Sequence, residues 1–436
     1  MTACDAITGL ASNPSAPADV LLRLLSDEFD YGIVDRITWR ESLPDEVGEA
    51  MVRHPDRRVR RLLAGSWAGS PELKAKLLDG PESDALVVAI GAIPYRGTVA
   101  PLPAPLATHE DPVFRMAACR GVWSELSDDV RAARLADPDD QVREAAALHV
   151  MHEDAEQTAW LIEVTEGEHT YWKVLESGLL TRELAERLMP EDRYLSSLAL
   201  NPTLPSDLAA RLADHKDPRV RLAVSARPEL TEEQRAAIDW TVNPEDRLTP
   251  LQWVRRARHD VDVLRRCAHS QHTWLRRSAA VCEELPEDCI QLLAEDADYA
   301  VRLLLAEWHP KAPPELLFDL YVERAHGAAA MLTSRPQFPS AGLAARCADA
   351  ENPRERALAL RDPDASPALV ERLSRDHSAW VRQTAACDTR LPVHRVVELL
   401  DDPDVCRSAA TNPLLPVAEM RALLDGAGVP KLPADG

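Results

Sequence analysis

Glycine, lysine and phenylalanine are scarce in this chain. Its 436 residues include only 16 Gly, six Lys and four Phe, and aromatic residues make up 5%. So little glycine argues against an all-β fold, whose tight hairpins need many glycine turns. It also makes a phosphate-cradling loop easy to spot, and the chain contains neither GxGxxG nor GxxxxGK. No nucleophile elbow or paired-carboxylate motif is visible either. Long apolar runs are missing: the longest, near residues 85–93, is about half of the ~18 residues a membrane span requires. Residues 1–25 lack a basic region followed by an apolar core, which leaves no signal-peptide pattern. These absences lead to the expectation of a cytoplasmic protein with no membrane partner and no recognisable catalytic centre.

Charge of one sign is also in short supply. Fifty Lys+Arg face 72 Asp+Glu, for a formal net charge of −22. That balance argues against a general nucleic-acid binder, which usually presents a basic face. The eight cysteines form no CxxC pair and no Cys/His set at zinc spacing. They read as buried small apolar residues in a reducing compartment, and no metal or cofactor is expected.

Proline, by contrast, is abundant, with 34 residues. The prolines fall in two alternating phrases. The first is Asp-Pro-x-x-Val-Arg followed by small apolar residues. It reads HPDRRVRRLLA at His54, DPVFRMAA at Asp111, DPDDQVREAAA at Asp137 and DPRVRLAV at Asp217. Degenerate copies start at Asp296, Asp376 and Asp402. The second is Asn-Pro-x-x-Pro-x-x-Leu. Copies lie at Asn13, Asn201, His309, Arg335, Asp362 and Asn412. Clear neighbouring copies are 24 to 29 residues apart. In the first phrase Asp accepts from the free N–H groups of a helix start, and Pro fits the first turn because its missing N–H had no partner there. In the second, Pro ends one helix, since the residue before it avoids the α region, and the next Pro opens another. That helix carries Leu-x-x-Leu-Leu inward, as in VLLRLL at Val20 and LAARLA at Leu208. Each unit is therefore two short helices that cannot bury their apolar faces alone, so neighbours must stack.

These phrases and this period resemble the leucine-rich repeat variant family of bacterial proteins, and more loosely HEAT-like repeats. The resemblance is best over 190–425. It implies a fold of α-helices alternating with short 3₁₀ helices in a right-handed superhelix. Some family members hold an iron–sulfur centre in an N-terminal cysteine cluster. Here only Cys4 precedes the first repeat, so no such cofactor is expected. The expected fold is all-α, a right-handed α-solenoid of about sixteen two-helix repeats filling 1–436 as one domain. Residues 80–110 and 145–190 read as degenerate repeats, and 426–436 as a disordered tail.

Candidate functional residues divide into three groups. Arg60, Arg143, Arg221, Arg302 and Arg382 recur after the valine of the first phrase. They are either a basic stripe or a structural ladder in which each meets a carboxylate of an adjacent unit. The fixed Asp offset favours the ladder, and predicts that Arg221 and Arg302 lie beside such carboxylates. Trp67, Trp123 and Trp308 follow the first-phrase valine position by 7 to 10 residues. They read as inter-repeat core or, alternatively, as partner-binding anchors on a concave face. Arg255, Arg256, Arg258, Arg265, Arg266, Arg276 and Arg277 cluster with Trp253 and Trp274. This is a solvated helix face or, alternatively, a nucleic-acid patch of the kind HEAT-like DNA glycosylases use. His149, His152, His269 and His272 lack metal-site spacing.

The favoured reading is a non-catalytic scaffold for a protein or peptide partner with a basic surface, which the negative charge would steer. The alternatives are a nucleic-acid binder built on the Arg255–Arg277 cluster, and an accessory or maturation factor of a modifying pathway.

Overall fold

The computed structural model describes residues 2–25, 31–66, 69–70, 73, 76–77, 104–167, 169–190, 193–246, 248–324 and 327–432. Every regular element among them is a helix. The helices come in pairs, and a helix packs against the helix two further along the chain, as Leu195–Leu200 does on Pro218–Ser225 and Thr273–Ala280 does on Tyr299–Trp308. That is the stacking of an α-solenoid.

One repeat shows why the sequence folds this way. Pro205 stands at the N-cap of the Ser206–Arg211 helix, so a residue with no N–H to satisfy opens it. Leu208 and Leu212 point inward and are buried. Asp217 then caps the Pro218–Ser225 helix by accepting from Arg219 N, with Pro218 in the first turn. Val220, Ala223 and Val224 of that helix are buried against the neighbouring pairs. Each fully buried Leu or Val contributes about 1.5–3 kcal/mol, while the small Ala residues allow close helix approach.

Both helices of most repeats are α-helical. Among the described residues 3₁₀ helices occur only at Ala104–Thr108, Trp123–Glu125, Gly327–Ser334, Ala359–Arg361 and Leu399–Asp401. The regular α/3₁₀ alternation implied by the family resemblance is thus replaced by α/α pairs. Residues 145–190, which lose both phrases, still form helix pairs: Ala155–Val164 is followed by Tyr171–Ser177 and Arg182–Leu188. Residues 80–103 lie outside the described residues.

Contacts group the chain into two compact units. One comprises Met1–Arg134 with Ser340–Gly436, the other Leu135–Pro339. The first unit is discontinuous in sequence. Its two segments meet where the Thr2–Ser12 helix packs on Cys406–Ala410. Residues 427–432, expected to be a disordered tail, are held in this unit. Val429 is buried, and its carbonyl accepts from Arg23 Nη2 at 2.7 Å.

Candidate functional site

The repeated arginines build a ladder inside each unit. Arg382 Nη1 donates to the Asp376 carbonyl at 3.0 Å, and its Nε donates to Asp402 Oδ2 at 3.0 Å. One repeat earlier Arg356 does the same, to the Ala350 carbonyl at 2.8 Å and to Asp376 Oδ2 at 2.9 Å. Asp376 therefore joins two arginines, one through its carboxylate and one through its carbonyl. In the other unit Arg276 reaches Ser270 O and Asp296 in the same way. Arg221 and Arg302 lie beside Asp239 and Glu323, as the sequence predicts. Arg143 keeps the carbonyl bond, its Nη1 donating to Asp137 O at 2.7 Å, but pairs with Asp140 of its own helix and lies over the ring of Trp160, 5.2 Å from its centroid. The described bonds of Arg60 run to the carbonyls of its own turn, His54 and Pro55. Burial works against the Asp376 carboxylate, yet the Arg356 guanidinium and the Ser378 N–H hold its pKa below the usual range.

The turn before each of these helices has its own chemistry, which the sequence reading missed. Six residues before the arginine, a side-chain acceptor takes the N–H two residues on. It is Nδ1 of His54, His109 and His215, and Oδ1 of Asp137, Asp296 and Asp376. The helix cap is the residue four before the arginine. That is Asp111 and Asp217 where the phrase is short, but Asp139 and Asp298 where it is longer. Asp137, expected as a cap, is thus a turn residue. Counting back from the arginine gives the register that counting forward from Asp-Pro does not.

A second seam is made by the residue opening the other phrase. Asn201 is fully buried, and its Nδ2 donates to Leu175 O at 2.7 Å and Gly178 O at 2.8 Å in the preceding repeat. Asn412 does this to Ala386 O and Asp388 O. Arg227 occupies the same place as Asn201 one repeat later and donates to Ala199 O, Asn201 O and Leu204 O. The recurring polar groups are spent within their own turns or on neighbouring repeats.

The basic cluster divides. Arg277 is 1% exposed and pairs with Asp298 at 2.8 Å, while its Nη1 donates to Asp246 O at 2.6 Å. Trp274 is buried and donates through Nε1 to Thr249 O; half-buried Trp253 donates to Ala226 O. Arg276 pairs with Asp296 and Arg265 with Asp288. Arg276, Arg277, Trp253 and Trp274 are therefore committed internally. Arg277 and Trp274 fasten the stretch 238–251, which carries no helix among its described residues, to the repeats beside it. Arg255, Arg256, Arg258 and Arg266 remain exposed and make no ion pair with any described residue. Arg256 lines an open depression with His259, Asp260 and Asp262.

His272 belongs to the same region. It is fully buried, stacked on Trp240 with ring centroids 4.0 Å apart, and its Nε2 lies 2.9 Å from Ser225 Oγ. The Ser225 hydroxyl donates to Leu222 O, so the histidine donates to serine and its Nδ1 has no hydrogen-bond partner. Burial, helped by Arg235 and Arg276, pushes its pKa down to about 3. Burial pushes the Cys267 thiol up to about 12 and the Cys282 and Cys347 thiols to about 11. Such thiols stay protonated near neutral pH and are poor nucleophiles. Among the described residues no group of three His, Cys, Asp or Glu is placed to hold a metal ion.

Of the candidate anchors, Trp67 lies outside the described residues. Trp123 is half-buried at the start of a 3₁₀ turn. Trp308 is 61% exposed at the end of its helix. Trp39 and Trp380 are also exposed, at 56% and 46%, and share no repeat position with Trp308 that would have marked them. No helix among the described residues is long and apolar enough to cross a membrane.

No protein-family model and no curated protein sequence matches the chain. Among solved structures it is similar to the karyopherin Kap121p bound to RanGTP, at 12% identity and a TM-score of 0.26, covering 97% of this chain and 51% of that one. Kap121p bound to the extreme C-terminus of the protein phosphatase Cdc14p matches at 10% identity and a TM-score of 0.19, covering 96% and 51%. The chain spans about half the length of both. At such TM-scores these likenesses carry no functional argument, and the α-solenoid assignment rests on the stacked helix pairs themselves.

Proposed function

We propose that this protein is a non-catalytic scaffold that binds a protein or peptide partner. One observation carries the reading: the polar side chains that recur at each repeat are consumed within and between repeats, while Trp308 and Trp380 are left on the surface. Large exposed aromatic residues serve as interface anchors because they bury much area at low entropic cost. The net charge of −22 favours a partner with a basic surface.

The test titrates the full chain with Lys/Arg-rich and with Asp/Glu-rich peptide libraries. The reading expects binding of the former, weakened by salt and about tenfold by Trp308→Ala or Trp380→Ala. Preference for acidic peptides, indifference to both substitutions, or turnover of a small molecule contradicts it. A second reading, nucleic-acid binding, is favoured only by exposed Arg255, Arg256, Arg258 and Arg266. Asp260 and Asp262 beside them oppose a polyanion. A salt-dependent gel shift lost on reversing these arginines would replace the first reading with this one.

A further inference from the structure

In the regular seam of the first unit the carboxylates are occupied step by step, with one exception. Asp376 accepts from Arg356 through both oxygens and from Ser378 N. One repeat on, Asp402 accepts from Arg382 Nε and from Asp404 N. Asp404 thus follows its turn aspartate as Ser378 follows Asp376, so this step carries one carboxylate more. The Asp404 side chain is 66% exposed and accepts no hydrogen bond from a described residue. Arg382 Nη2 lies 3.6 Å from Asp404 Oδ2, beyond the ~2.7–2.9 Å of a charge-assisted bond. The other nitrogens of that guanidinium are held by Asp402 and by the Asp376 and His377 carbonyls. Asp404 therefore keeps its acceptor capacity.

Trp380 stands close by. It is the second residue of the Ala379–Ala386 helix, and Gln383, one turn on along the same face, donates through Nε2 to Asp404 O at 2.6 Å. The Trp380 ring is 46% exposed, and its N–H has no hydrogen-bond partner among the described residues. Other aromatic rings of this chain carry one of its own arginines: Arg58 lies over Tyr31, Arg143 over Trp160 and Arg324 over Tyr299. No cation of the described residues lies over Trp380. We propose, resting on the scaffold reading, that Trp380 and Asp404 together take an arginine side chain of the basic partner. The guanidinium lies flat on the indole and turns its N–H edge to the carboxylate. Arginine suits the site better than lysine, because its planar, weakly hydrated cation stacks on a ring and still offers donors at its edge. Arg382 does not repel it strongly, since Asp402 neutralises that charge.

Two labelled peptides of equal length and charge, one built on arginine and one on lysine, test this when titrated into the full chain and read by fluorescence anisotropy. The parent is expected to bind the arginine peptide about threefold tighter than the lysine peptide. Trp380→Leu keeps an apolar side chain but removes the ring face, and is expected to abolish that preference. Asp404→Asn is expected to weaken the arginine peptide about threefold. Both changes act on one guanidinium, so the double variant should lose less than the product of the two separate losses. Trp308→Ala should weaken both peptides and leave the preference intact. Equal binding of the two peptides, or a preference that survives Trp380→Leu, overturns the arginine site and leaves the scaffold reading standing. Failure of both peptides to bind overturns the scaffold reading and the arginine site with it.

Discussion

Two seams of the molecule solve the same problem differently. Between 350 and 412 the repeats are regular, and a small set of residues is used again at each step: Arg356 to Asp376, Arg382 to Asp402, Asn412 to two carbonyls. Between 225 and 298 the lattice is interrupted by the helix-free stretch 238–251, and the residues that hold it occur once. Arg277 reaches Asp246 O, Trp274 reaches Thr249 O, Trp240 stacks on His272, and Ser278 Oγ accepts from Leu251 N. A regular seam can be built by repetition. An irregular loop needs large, specific side chains to satisfy backbone groups that no neighbouring repeat can reach. The Trp- and Arg-rich cluster that stands out in the sequence is in good part the fastening of that loop.

The irregular seam depends most on Arg277. Replacing it with alanine leaves the half-buried Asp298 carboxylate with its helix-cap bond but without its cation, and frees the Asp246 carbonyl, so urea unfolding should lose about 3 kcal/mol. A loss no larger than that from an exposed arginine would remove the distinction.

Acid should separate the seams next. Folded His272 resists protonation to about pH 3, whereas an unfolded histidine takes its proton near 6.5. Its contribution is complete above pH 6.5 and falls by about 1.4 kcal/mol per pH unit as pH drops toward 3. Asp376 in the regular seam titrates in the same sense but lower on the scale. Its folded pKa is lowered, so its contribution is intact above about 3.8 and is lost only as pH falls further. Hydrogen exchange between pH 6 and 4 should show 225–298 opening while 350–412 stays protected, and His272→Leu should flatten the difference.

A smaller effect is expected at Asn412→Ala, about 1–3 kcal/mol from two unsatisfied carbonyls. Arg265→Ala, on the exposed side, should leave the urea midpoint where it was. Trp308→Ala should change stability by no more than about 0.5 kcal/mol while weakening partner binding about tenfold, which tells an anchor from a core residue.

The helix pairs were legible because each punctuating residue acts locally: proline at a helix start, aspartate at a cap, leucine at helical spacing. Partners set by three-dimensional register were less so. Asp137 looks like a cap until Asp139 is seen to take that place. His54, His109 and His215 look scattered until each is found accepting the N–H two residues on. Whether Trp274 and Arg277 face inward depends on the loop they fasten, which has no period. The joint of Asn13 with Asn412 leaves no local trace, since periodicity does not say which repeat lies beside the first.

The recurring arginines form a structural ladder. A double-mutant cycle on Arg356→Ala and Asp376→Ala, read by urea unfolding of the full chain, tests it most directly. The ladder predicts a coupling of about 1–2 kcal/mol, with peptide affinity unchanged in either single variant. Additive effects on stability, together with a loss of binding in Arg356→Ala, would make the arginines a binding stripe instead.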